Sequence, residues 1–312
     1  MKAVLIQNGS VRFAETEDPA LGDEQLLVKV AGAGLNAADL MQAAGNYPPP
    51  PGIREDIPGL EFSGTVIAQG TSVPRNLVGK RVMGVLGGAA QAELVAVHHS
   101  SAIVIPEGLD LVEAGGVPEA YITAYDALFI QAGLSIGERV LVRGASGGVG
   151  SAAVAMAVLA GAETLGTSRT EEGRAYIEGL GAKAIDPDEV LGNGPFDVVL
   201  ELIGGMQFHS CLSELRSRGR IVVIGVGQGS RVELDLRLLM MKRAIVRAST
   251  LRPRSQGEKG EIARQFSERM VPHLASGALK PNLQRAYPAA DAPGAYADFD
   301  SISKQGKLVL AF

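Results

Sequence analysis

A single cysteine, Cys211, leaves no partner for an internal disulfide and rules out a cysteine-rich structural zinc site. Histidine is nearly as scarce, with residues only at 98, 99, 209 and 273. His98 and His99 form the one cluster. Adjacent residues on a strand point to opposite faces, so the pair is not expected to share a metal, and no metal site is expected anywhere. Basic residues are not in excess: the net charge is −5, which argues against a general nucleic-acid binder. No apolar run reaches transmembrane length. Residues 1–7 read as a strand that stops too soon for a signal peptide, so a cytoplasmic protein is expected. There is no repeat and no low-complexity tract.

Hydrophobic residues make up 46% of the 312, enough for a globular chain, and the length suits about two domains. The most informative stretch is Arg139-Val140-Leu141-Val142-Arg143-Gly144-Ala145-Ser146-Gly147-Gly148-Val149-Gly150. A β-branched strand runs into a glycine turn, and the Ala-rich residues 151–159 follow as a helix. Gly144-x-x-Gly147-x-x-Gly150 varies the usual dinucleotide fingerprint. The layout lets a pyrophosphate rest on a helix N-terminus, with Gly147 and Gly148 opening the backbone to it and Gly150 letting helix and strand pack closely. A tight turn can need glycine for steric reasons alone, but the flanking strand and helix favour the dinucleotide reading.

The first 115 or so residues look β-rich, with short apolar runs at 26–30, 64–68 and 81–85 separated by Gly, Pro and Asn. Such irregular structure fits a barrel better than an alternating layout. Tyr47-Pro48-Pro49-Pro50-Pro51-Gly52 reads as an exposed, stiff loop at a pocket edge rather than a polyproline ligand. From Pro118 the pattern changes to an apolar helix at 121–131 and then strand–helix alternation. Strands are expected at 164–167, 184–185, 197–202, 220–225 and 245–249, with helices from Glu171, Phe208 and Gly260. Val- and Ile-rich strands alternating with helices imply a parallel sheet covered on both faces. Residues 307–310 form one more strand, returning to the first domain. The fold class is α/β.

With these residues laid out, the chain resembles the zinc-free quinone oxidoreductase branch, zeta-crystallin-like, of the medium-chain dehydrogenase/reductase superfamily. The likeness spans nearly the whole length. It rests on Gly34-Leu35-Asn36-Ala37-Ala38-Asp39-Leu40-Met41 with Gly45-Asn46-Tyr47, on Pro58-Gly59-Leu60-Glu61-Phe62-Ser63-Gly64, and on Pro118-Glu119-Ala120-Tyr121-Ile122-Thr123-Ala124-Tyr125. Lys242-Arg243 and Ser249-Thr250-Leu251-Arg252-Pro253-Arg254 bring it nearest the tumour-suppressor-inducible quinone oxidoreductase subgroup. The resemblance implies a GroES-like β-rich substrate domain (1–120 and 255–312) around a Rossmann doubly wound domain (121–254), and a homodimer. Pairing of strand 244–249 with its copy would close an open sheet edge. Where zinc-dependent relatives carry Cys and His-Glu, this chain has Asn36 and Leu60-Glu61.

The second Rossmann strand ends in Thr167-Ser168-Arg169, with Arg174 one turn into the next helix. Hydroxyl and guanidinium donors suit a 2′-phosphate, so NADPH is the expected cofactor. Glu171 and Glu172 lie near the position of a ribose-binding acid but read as first-turn residues of a helix capped by Thr170. Some relatives carry a lysine near Gly173, and solvated surface charge is the competing reading for both arginines. Expected cofactor-binding residues are Thr123, Ser146, Gly147, Gly148, Val149, Ser168, Arg169, Arg174, Gly225, Val226, Thr250 and Leu251.

The resemblance puts Tyr47, Asn36 and Asp39 around the substrate pocket. Two readings stand for Tyr47, a proton donor to a developing oxyanion or a pocket wall. Asn36 orients the nicotinamide or Tyr47, and Asp39 either shares in the chemistry or only caps a helix. The expected activity is NADPH-dependent reduction of quinones without metal. The alternatives are reduction of α,β-unsaturated carbonyls (enone or enoyl reductase) and a non-catalytic NADPH-binding structural or regulatory protein.

Overall fold

Two patterns of strand pairing divide the molecule, a computed structural model that describes residues 1–301 and 303–312. The first unit comprises Met1–Ile122, Leu251–Ile302 and Lys307–Phe312. Its main sheet runs in the spatial order Leu283–Pro288, Lys307–Ala311, Gln25–Gly34, Glu61–Gln69, Arg81–Val85, Ala102–Val104, with Leu94–His98 also paired to Gln25–Gly34. All of these pairings are antiparallel except that between Leu283–Pro288 and Lys307–Ala311. Alternate residues of Gln25–Gly34, namely Leu26, Val28 and Val30, are buried with Phe62, Val66, Val82, Val95 and Val97. This is the period-two burial of a sheet with one face on a core. A hairpin of Lys2–Gln7 and Ser10–Glu15 stands apart from this sheet.

The second unit is Thr123–Thr250 with Ser303–Gly306. Six parallel strands lie in the order Lys183–Ile185, Glu163–Thr167, Arg139–Val142, Phe196–Glu201, Leu215–Val223, Ile245–Ala248. In chain order that is 3-2-1-4-5-6, the doubly wound arrangement, in which the order reverses beside Arg139–Val142. Val140, Leu141 and Val142 are completely buried, as a central strand covered on both faces requires. The helix Gly148–Leu159 follows directly, three residues earlier than the apolar run suggested. The glycines at 148 and 150 lie inside its first turn, where propensity alone argues against a helix and the turn geometry prevails.

Several elements depart from the sequence expectation. The helix at 121–131 is instead α-helical over Pro118–Tyr125 and continues as a π-helix over Asp126–Gln131. The helix expected from Gly260 begins at Gln256, where Ser255 caps it, and breaks at Met270 into Gln256–Arg269 and Val271–Ala275. Pro272, which cannot donate to a continuing ladder, accounts for the break. The strand Lys307–Ala311 does return to the first unit's sheet. Ser303–Gly306, assigned by sequence to the GroES-like domain, groups with the second unit. There the Gly306 N–H donates to the Ser146 carbonyl at 2.8 Å, and the Ser303 and Thr170 hydroxyls lie 3.1 Å apart. Among the described residues no helix is long and apolar enough to cross a membrane.

Candidate functional site

In the second unit the site is built mainly of backbone. Gly144 adopts φ +71°, the left-handed turn that glycine accepts without strain. A Cβ on Gly150 would fall 2.2 Å from the Gly144 carbonyl oxygen, so this glycine is what lets helix and turn touch. Gly147 is the N-cap of Gly148–Leu159, and no side chain caps that helix. A Cβ at Gly147 would meet nothing nearer than 3.8 Å, so the first-turn N–H groups are approachable. Ser146, Gly147, Gly148 and Val149 are thus brought together as expected, each partly exposed.

The edge next to this turn is more specific than the sequence suggested. The Ser168 hydroxyl lies 3.3 Å from that of Ser146. A Cβ on Gly173 would fall 2.1 Å from the Ser168 Oγ, so glycine is what lets the first turn of the next helix approach Ser168. Thr170 caps the helix Glu171–Gly179 through the Gly173 N–H, so Glu171 and Glu172 sit in its first turn. Arg169 is exposed and makes no hydrogen bond or ion pair among the described residues. Arg174 differs: its Nη1 donates to the Ser168 carbonyl at 3.0 Å and lies 3.3 Å from the Asp186 carboxylate. Arg174 therefore braces the strand end rather than standing free for an anion.

The remaining expected cofactor residues divide. Thr123 is buried, and its Oγ1 has no hydrogen-bond partner among the described residues. A buried hydroxyl left unpaired is costly unless a ligand or water meets it. Gly225 and Val226 follow the strand Leu215–Val223 and are accessible, and Thr250 is exposed. Leu251 is only 6% exposed and groups with the first unit.

Behind the glycine turn lies a cluster that sequence reasoning missed. Arg143, 1% exposed, donates to Glu201 Oε2 at 2.7 Å and to Gln207 Oε1 at 2.6 Å. Glu201 Oε1 accepts from the Ile203 and Gly204 N–H groups, both at 2.8 Å. The pair ties the end of the first strand to the loop after the fourth. Cys211 lies against Glu201, and burial pushes its thiol up to about 12, so it is inert.

In the first unit the site is built of side chains from distant positions. Asn36 precedes the helix Ala37–Ala43, and its N–H donates to Asp39 Oδ2 at 2.8 Å. Asp39 Oδ1 accepts from the Gly59 N–H at 3.0 Å, and Gln91 Nε2 approaches Oδ2 at 3.3 Å. Asp39 is fully buried. Burial raises its carboxyl to about 7, against the pull of the Asn36 and Gly59 N–H groups and the Lys307 ammonium. The sequence left open whether Asp39 shares in the chemistry. Both of its oxygens are engaged, by the Asn36 N–H and Gln91 on one side and the Gly59 N–H on the other, and neither is exposed.

Asn36 Nδ2 donates to Glu61 Oε1 at 3.0 Å, and its Oδ1 accepts from Lys307 Nζ at 2.7 Å. Lys307 also meets Glu61 Oε1 at 2.5 Å and the Leu35 carbonyl at 2.7 Å. Gly34 makes room for this carboxylate, since a Cβ there would overlap Glu61 Oε1 at 2.2 Å. The second Glu61 oxygen accepts from the Glu119 N–H at 2.8 Å. Burial, and then Glu61, raise the Glu119 carboxyl to about 8.

Tyr47 is partly exposed, and its hydroxyl makes no hydrogen bond among the described residues. Its ring lies under the Arg252 guanidinium, 4.6 Å from centroid to carbon, and its carbonyl accepts from Arg252 Nη1 at 2.8 Å. Arg252 also donates to the Gly87 carbonyl at 2.8 Å and to Gln42 Oε1 at 2.5 Å. This buried arginine holds the proline-rich loop in place. It missed selection by sequence because its partners lie up to 210 positions away.

One geometric argument from the sequence fails. The strand Leu94–His98 stops at His98, and His99 opens a 3₁₀ turn, so alternation no longer separates the rings. They stack at 4.6 Å between centroids, with Glu24 alongside.

A GroES-like substrate unit and a doubly wound parallel unit with a glycine turn define an alcohol dehydrogenase-like oxidoreductase. Residues 22–107 match the alcohol dehydrogenase GroES-like domain family, and residues 148–267 match the zinc-binding dehydrogenase family. The chain is similar to an alcohol dehydrogenase superfamily protein from Novosphingobium aromaticivorans, at 27% identity and TM-score 0.86 over 100% of this chain and 99% of that one. It is also similar to a thermostable alcohol dehydrogenase from Pyrobaculum aerophilum, at 28% identity and TM-score 0.85, over 100% and 99%. The quinone oxidoreductase of Lama guanicoe is 31% identical over 94% of this chain and 90% of its own length, and that of Homo sapiens is 30% identical over the same shares. The chain belongs to the quinone oxidoreductase-like family of the medium-chain dehydrogenase/reductase superfamily. It is an oxidoreductase of small molecules that works with a nicotinamide cofactor. The residues present fit such a cofactor: the open turn at Gly147 has room for a pyrophosphate, and the unpaired Thr123 hydroxyl suits a carboxamide.

Proposed function

We propose that the chain is an NADPH:quinone oxidoreductase whose reaction needs no metal. The observation that carries the metal-free part is the Lys307 ammonium held by Asn36 and Glu61. By the family resemblance, position 36 is where zinc-dependent relatives place a metal-ligating cysteine. Here the positive charge beside Glu61 is a side chain of the protein itself. It neutralises a carboxylate that would otherwise be buried unpaired, at a cost of several kcal/mol.

For the nucleotide, the Ser168 hydroxyl and the unpaired Arg169 guanidinium support a 2′-phosphate, and the strand end Thr167-Ser168-Arg169 carries no acid to exclude one. Arg174 supports the site indirectly by holding the Ser168 carbonyl. Ser146, Gly147, Gly148 and Val149 would hold the pyrophosphate, and Thr123, Gly225, Val226 and Thr250 the nicotinamide half. Bound NADPH supplies the hydride. Conversion of a quinone to a hydroquinone also takes up one proton, which the Tyr47 hydroxyl donates to the developing oxyanion. Asn36 and Asp39 set the start of the helix Ala37–Ala43 that leads into the Tyr47 loop, and Arg252 fixes that loop.

The strand Ile245–Ala248 supports a homodimer. It is the outer strand of its sheet, and all four of its residues are exposed, with Met240 and Met241 nearby at 76% and 70% exposure. An open apolar edge of this kind is otherwise an aggregation hazard. A sedimentation mass near the chain's own 32.4 kDa would contradict the dimer.

The functional test is turnover of NADPH and NADH against ortho-quinones, para-quinones and enones, before and after exhaustive chelation. The expected result is quinone turnover with NADPH that survives the chelator. Chelator-sensitive turnover, or turnover of enones alone, would overturn the reading.

A further inference from the structure

Glu24, His98 and His99 each direct a ligand atom into one space in the first unit, all within 4.8 Å of one another. Three features make this a built arrangement rather than a chance grouping. The His99 N–H donates to the Glu24 carbonyl at 3.0 Å, which fixes the start of one strand against the turn that ends another. His98 Nδ1 faces Ser100, 2.9 Å from its Oγ and 3.2 Å from its N–H, so Nε2 is the nitrogen turned toward Glu24, at 3.7 Å. Ser100 is itself anchored by Gln256 of the helix Gln256–Arg269, whose Gly260 leaves room for it.

We propose that Glu24, His98 and His99 form a binding site for a divalent transition metal, of the zinc, nickel or copper type, separate from the reaction. Two imidazoles and one carboxylate are a ligand set for such borderline cations. Coordination through His98 Nε2 selects the tautomer in which Nδ1 carries the hydrogen and donates to Ser100 Oγ. The Ser100 amide then gives up its longer contact. A partner on the second ring nitrogen is the usual way a ligating histidine is oriented.

The placement separates this site from the polar cluster around Asn36. Gln25 pairs with His98 at one end of the strand Gln25–Gly34, and Gly34 adjoins Glu61 at the other. Ten residues at about 3.3 Å each put the two ends roughly 30 Å apart. Metal here clamps the strand start to the turn and leaves quinone turnover unchanged.

The test is calorimetric titration of Zn²⁺ into the full-length, tag-free, chelator-treated chain, with Co²⁺ absorption as a second readout of ligand type. One equivalent is expected to bind saturably and to raise the melting temperature. His98→Ala, His99→Ala and Glu24→Gln should each weaken binding by at least the about 10–100-fold seen when even an outer partner of a metal ligand is lost. The His209→Ala/His273→Ala double variant should bind as the parent does. Metal-free melts of all variants show whether they fold. Absence of saturable binding, binding retained by the His98→Ala/His99→Ala double variant, or loss confined to the His209→Ala/His273→Ala control would overturn the proposal.

Discussion

The second unit's glycine-turn surface is made mostly of main chain, and the first unit's polar cluster is made mostly of side chains. In the second, Gly144, Gly147 and Gly150 shape a turn within seven consecutive residues, and the helix after it supplies the donors. In the first, Asn36, Asp39, Glu61, Gln91 and Lys307 come from four separate stretches and satisfy one another. Backbone sites tolerate neighbouring change so long as the glycines remain. Side-chain networks fail when any one member is lost, because the others are left buried and unpaired.

The largest expected effect concerns the partly exposed Tyr47 hydroxyl of the first unit. Tyr47→Phe should lower turnover by about 10²–10⁴-fold, the usual worth of general-acid help. The loss should be greater for enones than for quinones, whose reduced products are stabilised aromatics. A change of no more than about twofold, well below that range, would make Tyr47 a pocket wall.

Next is the buried ion pair behind the glycine turn. Arg143→Ala leaves Glu201 uncompensated and should cost about 3–5 kcal/mol of stability in denaturant titration. An unchanged midpoint would show that the second unit's surface does not depend on its side-chain support.

A smaller effect is expected at the strand edge. Arg169→Ala should weaken NADPH binding by roughly 1.5–3 kcal/mol, one charge-assisted contact, and leave NADH unchanged. Equal weakening of both nucleotides would return Arg169 to ordinary surface charge.

The smallest concerns pH. Asp39 and Glu119 have folded pKa values of about 7 and about 8, above their ordinary values of 3.8 and 4.5. The folded state therefore holds protons that the unfolded chain has released, and stability falls as pH rises from about 4.5 towards 8. Glu119→Gln should flatten the upper part of that decline in thermal melts. A slope identical to the parent's would remove Glu119 from the account.

How much of this was legible in sequence follows the same division. The glycine turn and Thr170 as a cap could be read locally, since spacing and flanking pattern carry the information. The lysine at the head of Lys307-Leu308-Val309-Leu310 and the arginine ending Arg139-Val140-Leu141-Val142-Arg143 were signals too, each a charge bordering a buried strand. Their partners were not legible, because strand pairing in space brings Lys307 to Asn36 and Arg143 to Glu201. The histidine argument failed for a local reason: period-two alternation holds only while the strand lasts, and the strand ends at His98.

A crossed measurement on two variants tests the division of labour most directly. NADPH affinity and saturated quinone turnover are determined for Tyr47→Phe and for Arg169→Ala. Tyr47→Phe should lose turnover and keep the parent's NADPH affinity, and Arg169→Ala should lose affinity and keep turnover at saturating NADPH. If both variants change the same parameter, the separation of nucleotide reading in one unit from proton donation in the other is wrong.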